Sequence, residues 1–148
     1  MKKEEDCLVD LPITAHISEK YIPSLSQRIA MYRRISDIQT AADAEDVVEE
    51  LVDRYGEPPK TVQGLIKISL MRSRAAKAGV YEITQNGIQA ILKLRDIDLY
   101  VIPKLQKGLK RVIQLHANNN KPFLSIKLIK GDQLTEIVNT ALDIITKN

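Results

Sequence analysis

EELVDRYGEPPKTVQGLIKISLMRSRAAKAGV, residues 49–80, reads as the end of one helix, a hard stop and a second helix. Gly56 supplies the left-handed conformation that ends helices, and Pro58 and Pro59 prevent continuation. Upstream, Thr40 is a cap candidate, and Val47, Val48, Leu51, Val52 and Tyr55 form one apolar stripe. Downstream, the apolar residues from Val62 to Ala76 cover more than one face, which predicts a central helix over residues 60–79, contacted on two sides. The distinctive residues of the stretch are charged: Glu50, Asp53 and Arg54 crowd the last turn before Gly56.

Working outward, CLVDLPITAHISEKYIP carries Pro12 and Pro23 without helical periodicity and predicts an extended arm. A first helix follows, with Ser24 and Gln27 spaced as a capping box and Leu25, Ile29, Tyr32 and Ile35 expected on the inward face. After Gly79 the texture becomes strand-like. Asn86-Gly87 marks a hairpin between two β-prone runs, and residues 111–115 and 123–129 predict two more strands around an Asn-rich turn. Pro103 and Gly108 bracket a short helix. The chain then closes on an amphipathic helix with Asp132 as its cap, in which Leu134, Ile137, Val138, Ala141, Leu142 and Ile145 follow helical spacing. An extended arm, three helices, a small mainly antiparallel sheet and a last helix indicate the α+β class and one domain over residues 1–148, with residues 1–8 as a boundary segment.

Composition excludes several classes. In 148 residues, 44% hydrophobic and 28% charged, there is no apolar run long enough to span a membrane and no signal peptide, so a cytoplasmic location is expected. Cys7 has no companion for a disulfide or a metal and reads as incidental near a loose terminus. Gly-rich phosphate loops and nucleophile elbows are absent from the sequence, and His16 and His116 stand alone, as structural histidines would. Neither catalytic, cofactor-binding nor metal residues are expected.

What remains is charge. Glu50 and Asp53 lie at i, i+3, so their carboxylates share one side of a helix, near an end whose dipole prefers cations. An acidic surface in that position suits an external basic partner. The alternative is a nucleic-acid-binding module that uses Arg72, Arg74 and Lys77 together with Lys104, Lys107, Lys110 and Arg111. With aromatics at 4% and no Trp, such binding would be independent of base sequence.

VDLPITAHISEKYIPSLSQRIAMYRRI followed by VVEELVDRYGEPPKTVQGLIKISLMRSRAAKAGV resembles the C-terminal domain of bacterial transcription-repair coupling factor over residues 9–80. The D-L-P, Y-I-P, R-I-x-x-Y-R-R-I and E-L-x-D-R-Y-G elements carry the resemblance. It implies a regulatory tail of a large ATP-dependent DNA translocase that displaces stalled RNA polymerase and recruits excision repair. The implied partner is the N-terminal repair-recruitment module of the same protein, whose surface for the excinuclease damage-sensing subunit the tail covers. Glu50 and Asp53 fall in the family's acidic motif, with Arg54 beside them.

Overall fold

A computed structural model describes residues 6–118 and 121–147. Residues 1–5 and most of the expected Asn-rich turn lie outside it. The fold is α+β, with the elements β1 (Leu8–Asp10), α1 (Leu25–Ser36), α2 (Ala41–Tyr55), α3 (Lys60–Lys77), β2 (Val80–Asn86), β3 (Gln89–Leu94), α4 (Val101–Leu109), β4 (Ile113–Asn118), β5 (Lys121–Lys127) and α5 (Leu134–Thr146). Chain contacts divide these into two compact units: residues 13–73, and the stretch ending at Pro12 with the chain from Arg74 onward.

The helical unit is built on α1, α2 and most of α3. Its core gathers Ile17, Ile22, Met31, Ile35, Ile38, Val47, Leu51, Val62 and Ile66. The helix α1 is rotated from the expected stripe: Met31 and Ile35 are buried, whereas Leu25 is 63% exposed and Ile29 and Tyr32 also face outward. The inward row runs Arg28, Met31, Ile35, with Arg28 donating to the Ile22 and Pro23 carbonyls, and Tyr32 satisfies its hydroxyl by accepting from the Ile17 N–H at 2.7 Å. In α2, Ala44, Val47 and Leu51 face inward, while Val52, expected in the stripe, is exposed. Ser69 and Ser73 of α3, four residues apart, donate to the Ile35 and Gln39 carbonyls and satisfy groups at the end of α1. Gly64 lets α3 approach the arm, because a Cβ there would lie 2.8 Å from the Thr14 carbonyl oxygen.

The second unit is a five-stranded sheet of order β1-β2-β3-β5-β4, parallel only at β1-β2. Cys7, expected at a loose end, is buried beside the short parallel strand β1. In β3, Ala90, Leu92 and Leu94 alternate inward with half-buried neighbours, the period of a strand with one buried face. The β2-β3 loop is Gly87-Ile88, not Asn86-Gly87: Asn86 pairs with Gln89, and Gly87 takes φ +59 in the first loop position, as in a type II′ turn.

Helix α4 takes Pro103 and Gly108 inside its span instead of ending at them; a proline in the first turn removes no needed donor. Helix α5 begins at Leu134 without a side-chain cap, because the Asp132 carboxylate is used elsewhere. Val138, Ala141 and Leu142 are buried, as its spacing predicts.

Candidate functional site

Helix α2 is fixed at both ends before its charges are considered. At the start, Thr40 and Asp43 form a reciprocal capping box, with the Asp43 N–H donating to Thr40 Oγ1 at 3.1 Å and the Thr40 N–H to Asp43 Oδ2 at 3.2 Å. At the end, Gly56 turns the chain at φ +84, and the Tyr21 hydroxyl donates to its carbonyl at 2.7 Å. Tyr21 meets Tyr55 edge to face at 5.9 Å, and Tyr55 donates to Gln27 Oε1 at 3.2 Å. Partial desolvation, then the Glu57 carboxylate, raises the Tyr21 pKa and keeps its proton on this bond.

On that fixed rod, residues 41–57 hold seven carboxylates and one cation, Arg54. The inward row Ala44, Val47, Leu51 sets the rotation, which leaves Asp46, Glu49 and Asp53 exposed at i, i+3, i+7. The acidic face is therefore longer than the Glu50–Asp53 pair; the same helical spacing in the sequence marks Asp46 and Glu49.

Glu50 is less open than its neighbours in this row. Its side chain is 32% accessible and lies 3.3 Å from Arg54 and 3.6 Å from Arg34 of α1. Arg34 comes from a different helix, so no spacing rule within α2 could identify it. Arg54 is shared, with its guanidinium 5.0 Å above the Tyr55 ring. Next to this group, a cleft of about 350 Å³ opens between α1 and α2, lined by Arg34, Asp37, Ile38, Asp43, Asp46 and Val47. Asp37 and Asp46, both exposed, give this cleft a carboxylate rim, with Arg34 on the same lining and Asp43 engaged in the capping box.

The alternative basic set is divided. Arg72 and Arg74 on α3 are half-buried and Lys77 is exposed; Lys104, Lys107 and Lys110 are exposed along α4 and at its C-cap. Arg111 is already engaged: its guanidinium makes a two-pronged pair with the Asp132 carboxylate, which also accepts the Ile129 N–H at 2.6 Å. The Arg111 hydrogen bond, then that from Ile129, holds the Asp132 carboxyl below its usual range. This pair closes the turn before α5, which explains why Asp132 does not cap the helix.

The histidines differ from one another. His116 stacks on Phe123 at 4.4 Å and shares a 3.1 Å hydrogen bond with Ser125, a structural role as expected. His16 is exposed, and its backbone N–H donates to the Thr61 carbonyl. Among the described residues no cluster of His, Cys, Asp and Glu could hold a metal, and no helix is long and apolar enough to cross a membrane.

The TRCF domain matches residues 11–101. A transcription-repair-coupling factor of Staphylococcus epidermidis is 30% identical over 133 residues, covering 86% of this chain and 11% of that protein. The one from Bacillus subtilis is 28% identical over 142 residues, covering 93% and 12%. This chain thus spans about a tenth of the length of these relatives. In fold it is similar to a crystal structure of the C-terminal domain of transcription-repair coupling factor, with a TM-score of 0.76 and 22% identity over 96% of this chain and 91% of the other. The chain belongs to the TRCF domain family, the C-terminal domain of transcription-repair coupling factors.

Proposed function

We propose that this chain is the regulatory tail of a transcription-repair coupling factor, and that the outward face of α2 docks on a basic surface of the N-terminal repair-recruitment module of the same protein. Docking restrains the DNA translocase and covers the surface that recruits the excinuclease damage-sensing subunit. The chain itself hydrolyses no ATP, since its sequence offers no phosphate-binding loop. RNA polymerase and DNA are partners of the whole protein.

The observation that carries this reading is the one-signed row Asp46, Glu49, Asp53 on a helix pinned at both ends, with Glu50 alongside and a carboxylate-rimmed cleft at its flank. A rigid row presents its charges without an ordering cost on docking. Each rim ion pair is worth only about 0–1 kcal/mol and is screened by salt, so the closed form is held by several weak pairs and opens when polymerase binds elsewhere. Arg34 and Arg54 keep Glu50 neutralised in the open form, which lowers the cost of exposing it.

The test is double charge reversal, Glu50→Arg with Asp53→Arg, in the full-length protein. Polymerase-independent ATPase activity is expected to rise several-fold and excinuclease-subunit binding to become constitutive, while the melting temperature of the isolated chain changes by no more than a few degrees. Unchanged basal ATPase and unchanged excinuclease binding would overturn the docking site.

A further inference from the structure

Residues 99–131 contain seven Lys or Arg residues and no Asp or Glu. The fold gathers part of this charge around one helix. Val101, Leu105 and Leu109 of α4 are buried, which turns Lys104 and Lys107 outward on one flank and Gln106 and Lys110 on the other. On the first flank Gly108 permits close packing on α5, since a Cβ there would sit 2.6 Å from Ile144 Cδ1. That close packing sets Lys147, the C-cap of α5, on the same groove of about 520 Å³ as Lys104 and Lys107. On the second flank a groove of about 480 Å³ carries Lys110 and Lys127, with Val112 and Ile129 also lining it. Lys110 takes a left-handed conformation, φ 54, as it leaves the helix, and Arg111 is locked to Asp132. Among the described residues, neither groove is lined by an Asp or Glu.

Solvation of a helix end does not account for this arrangement. Lys107, in the last turn of α4, complements the dipole there, but that helix end does not account for Lys127 on β5 or Lys147 at the end of α5. The outward cations come from three elements, α4, α5 and β5, and they are lysines, compact point charges of a kind that binds phosphate oxygens.

From these observations we infer that the two grooves flanking α4 form a nucleic-acid backbone site, in which Lys104, Lys107 and Lys147 contact successive phosphates and Lys110 and Lys127 extend the track. Binding is independent of base sequence, because among the described residues no aromatic side chain lines either groove to stack on bases. This site does not involve α2 and stands or falls separately from the docking proposed above.

The experiment is fluorescence anisotropy of a labelled 30-base-pair duplex with this 148-residue chain, titrated from 20 to 200 mM KCl. Five phosphate contacts give a slope of log K against log salt of about −4.5, so affinity falls by about 30,000-fold across that range. The variant Lys104→Gln/Lys107→Gln/Lys147→Gln is expected to lose at least tenfold in affinity at 20 mM KCl and to flatten the slope to about −1.8, the two contacts of Lys110 and Lys127 remaining. A control variant, Lys20→Gln/Lys60→Gln/Lys67→Gln, removes the same charge from the helical unit and should stay within twofold of wild type. Equal losses in the two variants would overturn the site, since net charge would then be the cause. No binding of duplex by the wild-type chain at 20 mM KCl would also overturn it, as would binding of poly-glutamate alone, which would assign the grooves to an acidic protein partner.

Discussion

Residues 41–57 and residues 99–131 carry the same load of like charge, seven carboxylates in the first and seven cations in the second, and they present it by different routes. The carboxylates belong to one helix and its C-terminal turn, and helical rotation alone aligns Asp46, Glu49 and Asp53. The cations sit on α4 and β5 and the loops beside them, and they meet only when the sheet and the α4-α5 pair have formed. Beside both regions arginine makes intramolecular ion pairs, Arg34 and Arg54 with Glu50 and Arg111 with Asp132. Asp46, Glu49 and Asp53 in the first region and Lys107, Lys110 and Lys127 in the second face outward. The difference teaches that one-signed surfaces need an apolar platform beneath them, supplied within one helix in the first case and by several elements in the second.

Removing that platform should give the largest effects. Leu51 beneath the acidic face and Leu142 beneath the basic one are fully buried, so Leu51→Ala and Leu142→Ala should each destabilise by about 2–5 kcal/mol in urea unfolding. A loss within about 0.5 kcal/mol at either position would break the comparison, because that face would then rest on something other than its core.

The two helix glycines sharpen it at a smaller scale. A methyl at Gly64 meets a backbone carbonyl, which cannot step aside, so Gly64→Ala should cost about 1–3 kcal/mol despite the helix propensity gained. A methyl at Gly108 meets the far end of the flexible Ile144 side chain, and there the propensity gain of about 1 kcal/mol should offset the crowding. Thermal melts showing equal losses at the two sites would mean that α4 and α5 are as rigidly spaced as α3 and the arm.

The same contrast explains what could be read in advance. The α+β class, the stop at Gly56, the hairpin near Gly87 and the buried row of α5 follow from local period and turn chemistry, and they were legible. The rotation of α1 was not, because Leu25, Ile29, Tyr32 and Ile35 share helical spacing with Met31 and Ile35, and only the packing of the arm and α2 decides between the two rows. Of the acidic site, Glu50 and Asp53 were legible as neighbours on a helix, but Arg34 reaches Glu50 from α1 across fifteen intervening residues, and no periodicity announces that contact. Likewise Asp132 has the sequence context of a helix cap, and its capture by Arg111, twenty-one residues away, is a tertiary event.

Those two engaged carboxylates yield the finest test. Asp132 has a side chain only 12% accessible, accepts from Arg111 and from the Ile129 N–H, and its pKa is lowered. A carboxyl whose folded pKa is depressed stabilises the fold above its unfolded value, near 3.9, and that contribution is lost as pH falls through the folded value. Asp132→Asn should therefore melt well below wild type at pH 7, and the gap should narrow progressively below about pH 4 as the wild-type carboxylate protonates. Glu50, a third exposed between two arginines, is expected to behave otherwise: exposed pairs contribute about 0–1 kcal/mol, and salt screens them. For Glu50→Gln the melting temperature should stay close to wild type at pH 7, and any small difference should vanish in 1 M KCl. A pH-independent gap for Asp132→Asn would show that the bonds retained or lost by the amide matter more than the charge. A large, salt-resistant loss for Glu50→Gln would make Glu50 a fixture of the α1-α2 packing and would leave Asp46, Glu49 and Asp53 to carry the docking face without it.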